Sequence, residues 1–458
     1  MPDRTRQRVL FPDVFSKPAH LAFDDPAQSS DGGAVLLAAV DRRLGLTAAL
    51  GGCLRDERRP ASVQHGYTEM LRQRVFGIAL GYEDANDADR MRNDAMMRLV
   101  VGGDAAGQDL ASQPSLSRFE NSTTIGSLYA MSMRMAATVF DYHRRRLGKR
   151  VRKITIDLDP TDTPNHGEQQ QLSFYNGHYD NYCYLPMLGF VSFDGEADQY
   201  LFAAVLRAGN APAKQGARSI LRRTLTLLRA RFPKARFLVR LDGGFACPEL
   251  FDFMDAQPRV EYVVGIPKNK VLERRSERAM GTARRLSRRS GKSQSLFGET
   301  RYAARSWNKN KRRVVYKAEV VQYAGRTARD NNRFVVTNLR SAPKRVYEIY
   351  RMRGESENRI KELQNGLRLD RTSCTKFRAN QLRVLMTAAA YVLLQTMRSR
   401  LANTSLARKQ VESLRLMLLK VGARITTSVR RVVIHMAENH AWKSEWLIVA
   451  RAWGALPT

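Results

Sequence analysis

Apolar residues in the first third of the chain recur at the spacing of amphipathic helices. The pattern is helical over residues 33–99, as in AVLLAAVDRRLGL and YTEMLRQRVFGIAL. Ser117 followed by Glu120 is typical of a capping box, which predicts a long helix from there to Arg146. The opening residues lack periodicity and are expected to form an irregular arm. We therefore predict an α-helical N-terminal region over residues 1–150.

The pattern changes to strands at Val151. Five apolar runs are typical of buried strands: KITIDLDP, YCYLPMLGFVSF, QYLFAAVLR, ARFLVRLDGG and VEYVVGIPK. An amphipathic helix over residues 213–231 precedes the fourth run, and a short helix over residues 248–255 precedes the fifth. The order βββαβαβ predicts an α/β unit over residues 151–267.

Strand and helix patterns also fill the remainder of the chain. The runs RVVYKAEVVQYAG and NRFVVTNL predict a β-rich basic segment over residues 268–342. A charged helix is predicted over residues 343–364, and apolar helical sequence follows over residues 378–422. We expect residues 343–400 to complete the α/β unit and residues 401–458 to form a basic helical C-terminal region.

Composition places the chain among globular proteins. It has 458 residues, of which 43% are hydrophobic and 26% charged, enough apolar material for a sizeable core. Its four cysteines are far apart and form no CxxC pair, which is untypical of a disulfide framework or a zinc ribbon. The sequence contains no signal-peptide core and no apolar run of about 20 residues, so we expect a cytoplasmic protein that does not span a membrane.

The positive charge is concentrated at one end of the chain. The formal net charge is +33, yet residues 1–150 carry 21 basic and 18 acidic side chains, and residues 151–266 carry 13 of each. The last 192 residues carry 43 basic and 13 acidic side chains. Such a field attracts a polyanion, and nucleic acids are the abundant intracellular polyanions. A basic surface that serves only solubility is the alternative, although solubility does not require so large a bias.

Two carboxylates follow apolar strand runs in the α/β unit. Asp159 ends the first run and Asp242 ends the fourth, and each is followed by turn residues. A charged group at the end of an apolar strand is costly unless it has a partner or a metal. Either aspartate alone is more often a turn or helix cap, but the pair indicates a shared cleft at the carboxyl ends of neighbouring strands.

A third carboxylate is available on the charged helix. Arg353, Glu357 and Lys361 are spaced four residues apart and share one helix face, with Tyr350 close to it. A salt-bridged surface helix is the plainer interpretation of this spacing. Two aspartates and one glutamate would suit a pair of Mg²⁺ or Mn²⁺ ions, which activate an attacking hydroxyl and stabilise a leaving oxygen in phosphoryl transfer.

These segments resemble DDE transposases of bacterial insertion sequences, specifically the thirteen-eighty insertion-sequence family. The resemblance extends over most of the chain. Its clearest motifs are DLDPTDTPNHGEQQ, YNGHYDNYCYLPMLGF, LRAGNAPAKQGA, LVRLDGGFACPEL and YRMRGESENRIKELQNGL, with SRFEN and FRANQLRVLMTAAAYVL in support.

The resemblance implies an RNase H-like catalytic core with a β-rich insertion, which matches residues 268–342 in position. It implies that Asp159, Asp242 and Glu357 form the metal-binding triad. Asp157 and Asp162 are the alternatives for the first aspartate, and Asp157 would share a strand face with Asp159. Related enzymes have a Tyr-x2-Arg-x3-Glu-x6-Lys signature on the third helix.

Tyr350 and Arg353 fit that signature and are expected to contact DNA. The lysine position, however, holds Gln364, and Lys361 one turn earlier is the candidate substitute.

An aromatic residue among cations in the insertion is a further DNA candidate. Trp307 is expected to stack on an unpaired base at a cleaved DNA end, although a core position in a small β-domain is the favoured alternative. The cations that flank it and would contact DNA are Arg305, Lys309, Lys311, Arg312 and Arg313.

The sequence therefore predicts a cut-and-paste DNA transposase whose helical N-terminal region, residues 1–150, binds DNA. Its expected partners are double-stranded DNA, both transposon ends and target, and a second copy of itself in a dimer or larger assembly. Two alternatives stay open: an RNase H-like nuclease without strand transfer, and a non-catalytic DNA-binding protein derived from a transposase. No phosphate-binding GxxxxGK[ST] loop is present, so ATP-driven work is not indicated.

Overall fold

The computed structural model describes residues 9–11, 14–167, 169–307, 310–323 and 325–456. The N-terminal part begins with three short strands and continues as helices. The elements are β1 (Val9–Phe11), β2 (Ala19–Leu21), β3 (Gln28–Ser29), α1 (Ala34–Leu44), α2 (Leu46–Gly51), α3 (Tyr67–Leu80), α4 (Ala85–Arg90), α5 (Ala95–Gly102), α6 (Gln113–Ser122) and α7 (Ile125–Leu147).

The predicted capping box at Ser117 is wrong. Ser117 and Glu120 lie inside α6, and the chain turns before α7 begins. The Glu120 carboxylate is buried, where it accepts a 2.9 Å hydrogen bond from Nε of Arg74. The cap of the long helix is Thr124, whose side chain accepts a hydrogen bond from the backbone N–H of Ser127. A buried ion pair therefore accounts for the glutamate that suggested a cap.

The middle of the chain alternates strands with helices. Its elements are β4 (Lys153–Pro160), β5 (Thr163–Pro164), β6 (Phe174–Asn176), β7 (Asn181–Tyr184), β8 (Met187–Phe193), β9 (Tyr200–Val205), α8 (Ala217–Arg231), β10 (Arg236–Leu241), α9 (Pro248–Asp255) and β11 (Val260–Ile266). β5, β7 and β6 form a separate three-stranded sheet, and the other five strands belong to one large mixed sheet. The strand order is β9-β8-β4-β10-β11, with β8 antiparallel to its neighbours and β4, β10 and β11 parallel. This α/β architecture confirms the fold class expected from the resemblance.

The segment after β11 extends the same sheet. It contains α10 (Lys270–Ser290), β12 (Gln294–Tyr302), β13 (Arg312–Val321), β14 (Arg329–Asp330) and β15 (Arg333–Thr337). β15 pairs antiparallel with β11, β13 with β15, and β12 with β13. The strands agree with the predicted β-rich insertion, but its first part is a 21-residue helix. The helix was missed because its apolar positions are few among many arginines.

The charged helix predicted over residues 343–364 is interrupted. It consists of α11 (Pro343–Arg351), a 3-10 turn (Met352–Gly354), α12 (Glu355–Lys361) and a π-helical turn (Glu362–Gly366). The following helix, α13 (Phe377–Arg398), is buried from Ala379 to Arg398 and contacts β9 and several N-terminal helices. One apolar core consequently runs from α1 to the C-terminal residues.

The last part of the chain is only partly helical. Its elements are α14 (Val411–Leu414), a π-helical turn (Arg415–Leu419), β16 (Ala423–Thr427), β17 (Val432–Met436) and α15 (Lys443–Ala452). β16 pairs with β17 and also with β3, so the two ends of the chain share a small sheet. The expectation of a helical C-terminal region is wrong over these strands. Within the described ranges, no helix is long and apolar enough to cross a membrane.

Candidate active site

Two neighbouring parallel strands bring the predicted aspartates together. β4 and β10 pair in register, with Arg240 opposite Asp157. Asp159 lies near the end of β4, and Asp242 is the first residue after β10. Since parallel strands end at the same edge of a sheet, both side chains lie at its carboxyl edge.

The Asp159 carboxylate is buried and held from the third helix segment. Its Oδ2 accepts hydrogen bonds from Nη1 of Arg353 at 2.8 Å and from Oγ of Ser356 at 3.1 Å. Burial raises the pKa of Asp159 to about 6; Arg353 opposes this shift, and the carboxylates of Asp242 and Glu357 add to it. The three acids therefore lie within electrostatic range of one another.

The alternative aspartate has a different environment. Asp157 is fully buried, and its two oxygens accept hydrogen bonds from Nε and Nη2 of Arg240 at 2.8 and 2.7 Å. Gln199 donates a third hydrogen bond at 2.9 Å. Burial raises the pKa of Asp157, and the charge of Arg240 opposes the shift. A carboxylate with both oxygens occupied by protein donors is a poor candidate ligand, which favours Asp159.

A glycine on β11 makes room beside Asp242. A Cβ on Gly265 would lie 2.6 Å from the hydroxyl oxygen of Tyr350 and 3.0 Å from the backbone nitrogen of Gly243. The Tyr350 ring therefore occupies the space that a side chain on this strand would need. Asp242 is fixed in turn by the backbone N–H of Gly244, which donates to its Oδ1 at 2.8 Å.

Arg353 lies between two of the three carboxylates. Besides its bond to Asp159, its Nη2 lies 3.5 Å from Oε1 of Glu357, whose side chain is 57% exposed. The nearby Glu362 serves a different purpose, because it is buried and accepts hydrogen bonds from Arg398 at 2.5 Å and Tyr391 at 2.6 Å. Glu357 is among the charges that raise the pKa of Asp159.

The donor chemistry of these residues suits a hard divalent cation. Three carboxylates come from three parts of the chain, and carboxylate oxygens are the ligands that such cations prefer. Both hydrogen bonds to the Asp159 side chain reach Oδ2, so Oδ1 has no protein donor among the described residues. In the part of the chain that the structure describes, however, no three His, Cys, Asp or Glu side chains are close enough to hold a metal ion. Binding a metal would require the three carboxylates to come closer together.

The two candidates for the missing lysine differ in their surroundings. Gln364, at the family's lysine position, donates from Nε2 to Oγ1 of Thr161 at 2.8 Å and to the carbonyl of Asp162 at 3.2 Å. It therefore braces the turn that follows Asp159. Lys361 is exposed and makes no ion pair with any described residue.

The predicted aromatic DNA contact packs against other aromatic rings of the chain. The Trp307 ring is half-buried, edge-on to Phe251 with ring centres 5.3 Å apart and to Tyr302 at 6.1 Å. This packing favours the core alternative for Trp307.

The flanking cations are divided between protein partners and solvent. Arg312 is buried and pairs with Asp252 at 2.5 Å and with Asp255 at 3.0 Å, and Arg313 pairs with Glu299. Arg305 and Lys311 are exposed, while Lys309 lies outside the described residues.

Three residues that shape the site were missed from the sequence. Arg240 neutralises Asp157, Ser356 donates to Asp159, and Gly265 admits Tyr350. A signal existed for the first of these, because an arginine inside one apolar strand and an aspartate inside another suggest a buried pair. Ser356 and Gly265 carry no such signal, since their roles depend on which elements meet.

Comparison with known proteins identifies the class that this arrangement defines. The family model described as "Transposase DDE domain group 1" matches residues 11–456, so the chain belongs to this family of DDE transposases. Assignment to the thirteen-eighty group stays a prediction. The search of curated proteins found no match.

Among solved structures, the cryo-EM structure of the piggyBac transposase synaptic complex with hairpin DNA is similar to this chain. The match covers 90% of this chain and 82% of that one, at 10% identity and a TM-score of 0.44.

Proposed function

We propose that the protein is a cut-and-paste transposase that binds the terminal inverted repeats of its own element. It hydrolyses a DNA strand at each end and joins the freed 3′-hydroxyl to target DNA. The observation that carries this proposal is that paired strands bring Asp159 and Asp242 to one edge of the sheet, while Arg353 contacts both Asp159 and Glu357. Membership of the DDE transposase family supports it.

Asp159, Asp242 and Glu357 are the residues that would hold divalent metal, Mg²⁺ or Mn²⁺, in two sites. When bound, the metal supplies charge neutralisation for the attacking and leaving oxygens. In its absence Arg353 neutralises Asp159 and Glu357, which keeps the acids in place despite their mutual repulsion. Tyr350 and Gln364 position the turns that carry the two aspartates.

The proposed partner is double-stranded DNA, bound by the basic second half of the chain. Two ends of one element must be processed together in cut-and-paste transposition, so we expect a dimer or larger assembly on DNA. Exposed Lys361, Arg305 and Lys311 remain candidate DNA contacts.

The deciding experiment is cleavage of a labelled element-end duplex in Mg²⁺. Wild type is compared with Asp159→Asn, Asp242→Asn and Glu357→Gln, and Glu355→Gln, an exposed glutamate on the same helix, is the matched control. We expect wild type and the control to cut and join DNA, and the three variants to bind without cutting.

The alternatives give different outcomes in the same assay. Cleavage without joining in the presence of target DNA would indicate a nuclease, and tight binding without cleavage by wild type would indicate a non-catalytic DNA-binding protein. Cleavage by all three variants would overturn the site assignment.

A further inference from the structure

Helix α10 carries an unusual concentration of charge next to the candidate active site. Its 21 residues include eight Lys or Arg and two Glu. It begins a few residues after Gly265, whose backbone adjoins the turn of Asp242. The helix packs against β12 and β13, so its first turn starts near the candidate site and the rest runs along the insertion.

The helix has one apolar face and one basic face. The buried positions recur at helical spacing and face the insertion strands; they are Leu272, Ser276, Met280, Ala283 and Ser287. At 100° per residue, a group of exposed arginines falls within a narrow stripe on the other side. These residues, called the α10 stripe below, are Arg274, Arg278, Arg285, Arg288 and Arg289.

The other two arginines of the same helix are held by protein partners, whereas the stripe has no acidic partner among the described residues. Arg284 pairs with Glu277 at 2.7 Å and with Asp330 at 2.6 Å, and Arg275 bonds to the Arg301 carbonyl. No stripe residue forms an ion pair with any described residue. Five like charges without counter-charges repel one another, so their alignment is explained by an anionic partner rather than by stability.

A glycine at the centre of the stripe also indicates an external partner. Gly281 lies midway between Arg278 and Arg285, and a Cβ added to it would meet nothing within 4 Å. Packing within the chain therefore does not require glycine here, although glycine inside a helix is less stable than alanine. Close approach of an external backbone would account for its presence.

We infer that the α10 stripe binds the sugar–phosphate backbone of duplex DNA next to the cleaved end, with Gly281 at the point of closest approach. From Arg274 to Arg289 the stripe extends about 22 Å along the helix, enough to follow several successive phosphates. This inference rests on the proposed function and names the surface that would carry its DNA affinity.

The test is binding of fluorescent duplexes without divalent metal, measured by anisotropy between about 0.05 and 0.2 M salt. The duplexes are an element end and an unrelated sequence of equal length. Arg278→Gln and Arg285→Gln should each weaken binding to both about eightfold at 0.1 M salt and lower the log–log salt slope by about 0.9. Arg284→Gln, which loses the same charge from a paired residue, should change the slope less.

The proposed close approach of DNA at Gly281 is tested by a side chain that would obstruct it. Gly281→Gln should weaken DNA binding while Tm stays equal or rises, because glutamine favours helix. The control is Gly102→Gln at the end of α5, where an exposed glycine also has open space around its Cβ. It should leave DNA binding unchanged.

The outcomes separate this inference from the proposed function. If wild type binds and cuts DNA but the stripe and Gly281 variants bind as wild type does, the inference is overturned and the proposed function stands. If wild type binds neither duplex, both are overturned. Weakened binding by Gly281→Gln together with a lowered Tm would attribute the loss to misfolding and overturn the role given to Gly281.

Discussion

Nη1 of Arg353 donates a 2.8 Å hydrogen bond to Oδ2 of Asp159, and this bond joins the helix that carries Glu357 to the first strand of the sheet. The positive charge of Arg353 holds the pKa of Asp159 below the value that burial and the other two acids would impose. The protein therefore keeps this buried carboxylate largely ionised at neutral pH by means of a neighbouring cation.

We expect Arg353→Gln to shift the pH dependence of cleavage. Loss of the cation raises the pKa of Asp159 further above about 6, so more of the carboxylate is protonated at neutral pH. The acid limb of the single-turnover rate should move to higher pH. Arg353→Lys keeps the charge and should shift it less, and identical acid limbs in all three proteins would contradict this role.

Substitution of Asp157 should lower the stability of the protein, whereas substitution of Asp159 should abolish cleavage. Asp157→Asn leaves Arg240 buried without its anion, and we expect a loss of about 3–5 kcal/mol in the free energy of unfolding. Asp159→Asn should leave denaturant unfolding close to that of wild type and abolish cleavage. A stable, inactive Asp157→Asn variant would transfer the catalytic role to Asp157.

Gly265→Ala should disturb the site through Tyr350. The new methyl group would lie 2.6 Å from the Tyr350 hydroxyl, and we expect destabilisation by about 1–3 kcal/mol and slower cleavage. Tyr350→Phe removes that oxygen, so the double variant should recover part of both losses. If the single and the double variant lose stability and cleavage rate equally, the contact of the new methyl group with Gly243 is the dominant one instead.

Lys361 and Gln364 should affect different steps. If exposed Lys361 holds a phosphate, Lys361→Gln should weaken DNA binding about eightfold at 0.1 M salt. Gln364→Ala releases the turn after Asp159 and should slow cleavage about tenfold at saturating DNA, with unchanged affinity. Anisotropy and single-turnover rates measured on both variants distinguish the two roles. The assignment is refuted if Lys361→Gln slows cleavage at unchanged affinity while Gln364→Ala weakens DNA binding.

His143 should make the fold less stable in acid. It is buried among the rings of Phe193 and Tyr200, and burial lowers its pKa to about 3. The unfolded chain takes up a proton near pH 6.5 while the folded one does not, so stability is full above that pH and falls below it. The group should contribute a loss of about 2 kcal/mol between pH 7 and pH 5. His143→Gln should show a smaller difference between these pH values in denaturant unfolding.

The strands of the core were predictable because apolar residues dominate each of them. All seven residues of β8 are buried, as expected of a strand covered on both faces, and Ser192 is the one hydroxyl residue in its sequence. Helix α10 was not predictable in the same way, because its buried face includes two serines and an alanine. The helix boundary near Ser117 was misjudged because a partner far along the chain, Arg74, decides the role of Glu120.

The candidate site likewise has residues that the sequence predicted and contacts that it did not. Asp159, Asp242 and Glu357 could be proposed from strand ends and motif spacing, since those are local features. The contacts of Arg353 with Asp159 and of Gln364 with Thr161 could not, because each joins segments about 200 residues apart that meet only in the folded sheet.

The pairing of β11 with β15 also sets the order in which parts of the sheet can form during synthesis. In a chain that emerges from the ribosome from its N-terminus, β11 has no outer neighbour until the whole insertion has been made, since Val264 pairs with Val336. Glu357 and its partner Arg353 follow later still. A nascent or truncated chain that ends within the insertion therefore has both aspartates but no third acid, and we expect it to be harmless to the DNA around it.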